Sequence, residues 1–197
     1  MKQNDFRKKM KKGVYTTVEA HLVAYADDPK VVNLQLHQWK ERGEILQLKR
    51  GVYAFTDASP EIAEIAKHLY FPCYFTLEYV LSQSGIIPEA VFTYTLVTPK
   101  TTRRWKTPFG TFSYRKIKRE AFTGFDSKTL IAEKEKALVD YFYLNQSKIE
   151  PTHRFWEESR LNGEGINFEK ALNFAKLFKS KKLTRLLRSF KDYAESH

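Results

Sequence analysis

The sequence predicts an α+β protein built from two domains. Apolar residues recur at helical spacing up to residue 42, and an alternating apolar pattern interrupted by a glycine follows at 45–55. Further helical and strand patterns fill the chain from residue 58 onward. A hydrophobic content of 42% is ample for packed cores in both parts. We therefore predict a first domain over 1–57 and a second domain over 58–197.

The charge of the chain indicates a polyanionic partner. The formal net charge is +11, and the cations cluster at residues 1–12, 100–119 and 176–191, of which the last two clusters contain no acid. Such clusters favour nucleic acid, an acidic protein or an anionic membrane surface as partner. Each cluster taken alone would also fit an ordinary solvated face.

The single cysteine, Cys73, cannot form an intramolecular disulfide and fits a reducing cytoplasm. No apolar stretch approaches 18 residues, and no apolar segment follows the basic N-terminus, so we expect neither a membrane span nor a signal peptide. We therefore expect a cytoplasmic protein without membrane contact.

Two short helices are predicted to open the first domain. A basic helix over 3–11 would end at Gly13. The segment Thr16–Glu19 has the spacing of a capping box, in which the threonine hydroxyl and the glutamate carboxylate each accept a backbone N–H of the other residue. A second helix over 17–25 would follow. One face of it carries Val18, Leu22 and Tyr25.

The third predicted helix, over 29–42, has the clearest boundaries. Asp28 would be its N-cap, Pro29 would occupy the first helical position, and Gly43 would end it in a left-handed conformation. The stripe predicted to be buried carries Val32, Leu36 and Trp39. The opposite side and its flanks carry Lys30, Asn33, Leu34, His37, Gln38, Lys40 and Glu41. Leu34 could widen the buried stripe, or it could contact a thymine methyl group in a DNA major groove.

A hairpin is predicted next, in the segment GEILQLKRGVYAF. Gly51 allows the turn, and Lys49 and Arg50 would lie at its tip. Two helices with a tight turn and then a hairpin describe a winged helix-turn-helix, a DNA-binding fold. Cations at the hairpin tip, the wing, can reach phosphates or the minor groove. The alternative is an ordinary exposed hairpin with solubilising charges.

The second domain is predicted to mix helices and strands and to end in basic amphipathic helices. Ser59-Pro60-Glu61 would form the N-cap and first turn of a helix that runs to about Leu69. The other predicted helices span 76–85, 131–145 and two segments within 167–196, and the predicted strands span 91–98 and a hairpin over 107–118.

A basic segment with an embedded tryptophan, Thr101–Lys106, lies between two of these strands. It could grip nucleic acid, with cations on phosphates and the ring stacked on a base. It could equally be a connecting loop whose Trp105 packs onto the sheet. With neighbouring cations and those of the last helices it defines a candidate second basic surface: Lys100, Arg103, Arg104, Lys106, Arg115, Lys116, Lys118, Lys179, Lys181, Lys182, Arg185 and Arg188.

No residue pattern predicts catalysis. The sequence lacks a phosphate-binding glycine loop, its scattered histidines and single cysteine form no zinc site of standard spacing, and no serine or cysteine lies in a nucleophile motif. We interpret four paired glutamates as solvated charges: Glu133, Glu135, Glu157 and Glu158. Cys73 is interpreted as a small buried apolar residue. We therefore expect a protein that is not an enzyme and has no catalytic residues, cofactor or metal.

Four stretches, taken in order, resemble the AbiEi-type antitoxins and the related transcriptional regulators of bacterial phage-defence (type IV toxin–antitoxin) systems. They are GEILQLKRGVYAF, YFTLEYVLSQSGIIPEAVFTYTLVTPKTTRRWKTPFGTFSYRKIK, LIAEKEKALVDYFYL and FAKLFKSKKLTRLL. The resemblance covers nearly the whole chain and rests on their order and spacing rather than on any single stretch.

The resemblance implies an N-terminal winged helix that binds inverted repeats in the protein's own promoter. It also implies a C-terminal domain that counters a partner nucleotidyltransferase toxin. DNA contact would then fall to Lys30, Asn33, His37, Gln38, Lys40, Lys49 and Arg50. A stand-alone regulator without a toxin, or a second domain that binds RNA or protein, remains open. We find no strong dimer seam, so we expect a monomer in solution, with two copies on an inverted repeat.

Overall fold

The computed structural model describes residues 2–196, which divide into two compact units. The first unit extends to Phe71 and also includes Trp105–Gly110, and the second contains Pro72–Arg104 and the chain from Thr111. The architecture is α+β, with helices and two small sheets. The first unit thus runs past residue 57, where we placed the boundary from the sequence, because a fourth helix packs on its first strand.

The first unit combines helices with a three-stranded antiparallel sheet. Its helices are α1 (Gln3–Met10), α2 (Thr17–Val23), α3 (Pro29–Glu41) and α4 (Ile62–Tyr70). Its strands are β1 (Val14–Thr16), β2 (Ile45–Lys49) and β3 (Val52–Phe55), in the order β1-β3-β2.

The predicted helix caps around α2 and α3 are confirmed. Thr16 Oγ1 accepts the N–H of Glu19 at 3.1 Å, and Glu19 Oε2 accepts the N–H of Thr16 at 2.8 Å, so the capping box is complete. Asp28 accepts the N–H of Lys30 at 2.7 Å at the start of α3. Gly43 follows α3 in a left-handed conformation, with φ of 71°.

Two predicted boundaries are wrong. Helix α1 ends at Met10 with Lys11 as its left-handed C-cap, at φ of 55°, and Gly13 lies beyond it. A Cβ atom at Gly13 would lie 3.3 Å from the Cβ of Pro60, so close packing explains this glycine better than helix termination. Helix α4 takes Glu61 as its N-cap instead of Ser59.

One face of α3 lies at the centre of the hydrophobic core of the first unit. The predicted stripe Val32, Leu36 and Trp39 is buried. The Phe6 ring of α1 packs against Trp39 with ring centroids 5.1 Å apart. The face of α2 that carries Val18, Leu22 and Tyr25 is exposed, since the small Ala20 and Ala24 point inward instead. Helix α3 therefore packs on the core through one face, and its opposite side faces solvent.

The second unit combines a mixed sheet with helices. Its helices are α5 (Leu77–Gln83), α6 (Lys134–Asn145), α7 (His153–Ser159), α8 (Phe168–Leu177) and α9 (Lys181–Glu195), with a short 3₁₀ helix at Arg119–Ala121. The strands are β4 (Tyr74–Phe75), β5 (Thr93–Thr98), β6 (Arg103–Thr107) and β7 (Gly110–Lys116), in the order β4-β5-β7-β6, with β5 and β7 parallel. Of these strands, β6 from Trp105 onward and the first residue of β7 belong to the first unit.

Three features of the second unit differ from the prediction. The basic segment at 103–106 is part of strand β6 rather than a loop. Helix α7 was not predicted, because its seven residues carry no apolar periodicity and only Trp156 is buried. Glu135 is buried rather than solvated, and its Oε1 accepts the N–H of Asn167 at 3.3 Å. Glu133, Glu157 and Glu158 are exposed and Cys73 is buried, as predicted.

Within residues 2–196, no helix is both long and apolar enough to cross a lipid bilayer.

Candidate nucleic-acid interface

The outward face of α3 is largely polar and accessible. Lys30, Asn33, His37 and Gln38 are all exposed. At about 100° per residue, they surround the side of the helix opposite the buried stripe. Leu34 lies at the centre of this side and is exposed, so it does not widen the core. The helix therefore presents amide, imidazole and ammonium groups from a rigidly packed scaffold.

A hydrogen bond between α2 and α3 fixes one of these groups. The Nε2 atom of His21 lies 3.0 Å from the Oδ1 atom of Asn33. Since an amide oxygen can only accept, His21 donates from Nε2. The carbonyl oxygen of Asn33 is thereby oriented, and its NH₂ group can donate to a partner. The sequence showed both residues but not that they meet across the turn.

Lys40 lies at the edge of this face and is partly neutralised. Its ammonium is 3.1 Å from the carboxylate of Glu41, and its side chain is half-buried. Glu41 is exposed, and its hydrogen bond with Lys40 lowers the pKa of its carboxyl group. Lys40 is consequently less available to an anion than Lys30.

The two cations of the β2–β3 hairpin point in different directions. Gly51 has φ of 77° and closes the turn, as predicted, and Arg50 is exposed there. The Lys49 ammonium instead donates to the backbone carbonyl of Leu69 in the last turn of α4. The same ammonium lies 5.4 Å from the centre of the Trp105 ring, which belongs to the first unit.

An irregularity in the hairpin explains this difference. The pairing of β2 with β3 shifts register between Gln47 and Lys49, and such a bulge re-aims the side chain that follows it. Lys49 therefore braces the hairpin on α4, where a cation also suits the carbonyl end of a helix. Arg50 is the exposed member of the pair.

The candidate second basic surface is only partly assembled. Its members on α9, Lys181, Lys182, Arg185 and Arg188, are exposed along one helix. Lys118 donates to the carbonyl oxygen of Phe178 at 2.6 Å, next to the exposed Lys179. The remaining members lie elsewhere: Lys100 precedes β6, Arg103, Arg104 and Lys106 are exposed on β6, and Arg115 and Lys116 belong to β7. We therefore treat α9 and the sheet as separate cationic features.

A cleft of about 440 Å³ lies on the sheet of the second unit. Arg104 and Arg115 line it together with Glu78 and Ser113. The Phe92 ring on its rim is 90% exposed. Arg115 also donates to the carbonyl oxygen of Leu144 at 3.5 Å, which holds it only weakly. The cleft combines cations with an aromatic ring.

Sequence reasoning missed a buried polar cluster in the second unit. Lys136 and Asp140 of α6 are fully buried and form an ion pair. Lys136 Nζ also donates to the Tyr74 hydroxyl at 2.7 Å, and Asp140 accepts from Tyr74 and Thr76 at 2.8 and 3.0 Å. Burial lowers the pKa of Lys136 and raises that of Asp140, while their mutual attraction opposes both shifts.

The sequence contains one signal for this cluster. A lysine and an aspartate stand four residues apart in KALVD, with apolar residues between them. That spacing also describes an ordinary surface pair. Only the packing of α6 against α5, α8 and α9 shows that the pair is internal.

The described part of the chain, residues 2–196, contains no group of three or more His, Cys, Asp or Glu side chains arranged to hold a metal ion. No protein-family model matches the chain, and no curated protein matches it in sequence. The resemblance to AbiEi-type proteins therefore rests on the four stretches quoted above.

Proposed function

We propose that the protein is a sequence-specific DNA-binding repressor whose first unit is a winged helix-turn-helix. In this proposal α2 and α3 are the helix-turn-helix, α3 lies in the major groove, and the β2–β3 hairpin is the wing. The observation that carries it is the outward face of α3. This face exposes Lys30, Asn33, His37 and Gln38, while the opposite face of the helix packs on the core.

The exposed polar side chains of the first unit suit two kinds of DNA contact, with phosphates and with bases. Lys30 and Arg50 are exposed and can bind phosphates, which supplies affinity without sequence preference. Asn33 and Gln38 carry amides, the groups that pair with adenine in the major groove, and His37 can donate or accept. A phosphate-binding cation, Lys30, thus lies on the same helix as the groups that can read bases.

The test is binding of the full-length protein to the DNA immediately upstream of its own gene, with random DNA as competitor and salt varied. We expect specific binding, with an affinity that falls steeply as salt rises. Asn33→Ala should lower affinity for the specific site by about 1 to 3 kcal/mol and leave binding to random DNA unchanged.

A matched pair of lysines tests the orientation of α3. Lys30→Ala should weaken binding to every DNA sequence and reduce the salt slope by about one. Lys67→Ala removes the same charge from an exposed position on α4 and should have little effect. Equal losses for the two variants would mean that the net charge, and not α3, governs binding.

We further propose, from the resemblance, that the repressor is the antitoxin of a toxin–antitoxin operon and that its second unit counters a nucleotidyltransferase toxin. A nucleotidyltransferase gene beside its own should then arrest growth when expressed alone, and co-expression of this protein should restore growth. Co-purification at high salt would indicate direct protein contact. A stand-alone regulator is the outcome if no such neighbouring gene exists or growth is not restored.

The cleft in the second unit supports a second candidate, binding of single-stranded RNA. Phe92 can stack on a base, and Arg104 and Arg115 can contact phosphates. Retention of labelled RNA that is lost at high salt and in Phe92→Ala would support it. RNA retention that is unchanged in Phe92→Ala would place any RNA binding elsewhere.

A further inference from the structure

Two apolar side chains interrupt the polar outward face of α3. Leu34 is 55% exposed and Val31 is 45% exposed. Their spacing of three residues makes them neighbours on the helix surface. At about 100° per residue, Leu34 lies opposite the buried stripe, with Lys30, His37 and Gln38 around it. An apolar side chain therefore lies at the centre of the face.

Packing in the first unit does not account for these two side chains. The core side of α3 is already filled by Val32, Leu36 and Trp39, which are at most 4% exposed. A single exposed leucine is ordinary on a protein surface. Leu34 and Val31, however, are adjacent and lie among the groups best suited to hydrogen bonding and phosphate binding.

We propose that Leu34 and Val31 contact the C5-methyl groups of thymines, so that the operator carries A·T pairs at the positions facing the centre of α3. This inference rests on the proposed function, because it requires α3 to lie in a major groove. The thymine methyl is the distinctive apolar group on the edges of bases in that groove. Burying it against a leucine or valine removes apolar surface from water.

One neighbouring amide suits the same kind of base pair. Gln38, four residues after Leu34 and seven after Val31, is exposed beside the two apolar residues, and amide side chains pair with the N6 and N7 atoms of adenine. Adenine stands opposite thymine, so hydrogen bonding by Gln38 and methyl contact by its apolar neighbours both favour A·T pairs. The charge of Lys30 can attract the adjacent phosphates.

Replacing thymine by uracil in the probe removes the methyl group alone. The DNA upstream of the gene is amplified with dTTP or with dUTP, and the full-length protein is titrated against each product, with random DNA as competitor. We expect binding to the uracil probe to be weaker by about fourfold for each methyl group contacted. Leu34→Ala should bind the thymine probe more weakly and should lose about fourfold of the preference for it, the share of its own methyl contact.

A control variant separates α3 from other exposed apolar residues. Leu22 is 69% exposed on α2, so Leu22→Ala removes the same side chain from another helix and should keep the preference for thymine. Both leucines are exposed on helices, where alanine is favourable, so both variants should fold.

The outcomes distinguish this inference from the function on which it rests. Specific binding with equal affinity for both probes would overturn the methyl contact and leave the repressor proposal intact. A preference for thymine that is as strong in Leu34→Ala as in the wild type would also overturn the contact of Leu34, since DNA shape or other residues would then explain the preference. No specific binding to either probe would overturn both.

Discussion

Helices α3 and α6 have similar lengths but place their charged residues in opposite ways. Polar groups of α3 such as Lys30 and Asn33 face solvent, opposite one buried stripe. In α6, by contrast, six consecutive residues from Glu135 to Asp140 are buried, including the Lys136–Asp140 ion pair. The difference arises because α3 packs on one side only, whereas α6 is surrounded by α5, α8 and α9.

This comparison separates charges that are available to a partner from charges that support the fold. An exposed cation keeps its hydration and can exchange it for a phosphate at little cost. A buried cation has lost its hydration and depends on its internal partners. Exposed cations such as Lys30 and Arg50 are therefore candidates for binding a partner, and the buried Lys136 is expected to contribute to stability.

The largest effect should come from Lys136→Met, which leaves the carboxylate of Asp140 buried without its cation. We expect the free energy of unfolding to fall by about 3 to 5 kcal/mol, measured by urea denaturation. The double variant Lys136→Met with Asp140→Leu removes both charges and should recover much of the loss. A loss below about 1 kcal/mol in the single variant would mean that the pair behaves like a surface pair.

A smaller effect is expected at the capping box of α2. Burial would raise the pKa of Glu19, but hydrogen bonds from Lys12 and Thr16 outweigh this and lower it from 4.5 to about 2. Because the pKa of Glu19 is lower in the folded state, its ionised carboxylate stabilises that state at pH values above 4.5. This contribution is lost as pH falls from about 4.5 towards 2.

The variant Glu19→Gln tests this linkage, because glutamine can still cap the helix but carries no charge. The stability difference between wild type and Glu19→Gln should shrink as pH falls through that window, as measured by denaturation at several pH values. A difference that stays constant across the window would contradict the proposed ionisation. Thr16→Ala should cost about 1 kcal/mol above this window and less below it, because the Thr16 hydroxyl also donates to the Glu19 carboxylate.

The hairpin provides a comparison between neighbouring cations. Lys49→Met removes the ammonium that binds the Leu69 carbonyl and should lower stability by about 1 kcal/mol, with the salt dependence of DNA binding unchanged. Arg50→Ala should leave stability within about 0.5 kcal/mol and reduce the salt slope by about one. Denaturation and DNA titration of both variants measure these effects, and a reversed pattern would mean that Lys49 is the DNA contact.

The smallest effect on stability is expected on α9. Arg185 and Arg188 are exposed, and replacing both by glutamine should change the free energy of unfolding by no more than about 0.5 kcal/mol. Specific binding to the upstream DNA should also be retained, because the proposed base contacts lie on α3. Loss of specific binding in this double variant would assign part of the DNA interface to the second unit.

Much of the first unit could be predicted from local chemistry. The capping box at Thr16 and Glu19, the boundaries of α3 and the turn at Gly51 depend on residues close in the chain, and all three are confirmed. The prediction that Gly13 ends α1 was wrong, because this glycine packs closely against Pro60, which is distant in the sequence. Periodicity also found the buried stripe of α3, since a helix packed on one side keeps a regular pattern.

The polar residues show most clearly what the sequence could not decide. The sequence alone identified the cations and the segments in which they cluster, because charge and spacing are properties of the chain. Only the tertiary structure decided that Arg50 is exposed while Lys49 braces α4, and that Lys136 is internal while Lys30 is external. The physical reason is that exposure depends on which distant elements cover a residue, and a lysine has the same local pattern on a surface helix as on one enclosed by its neighbours.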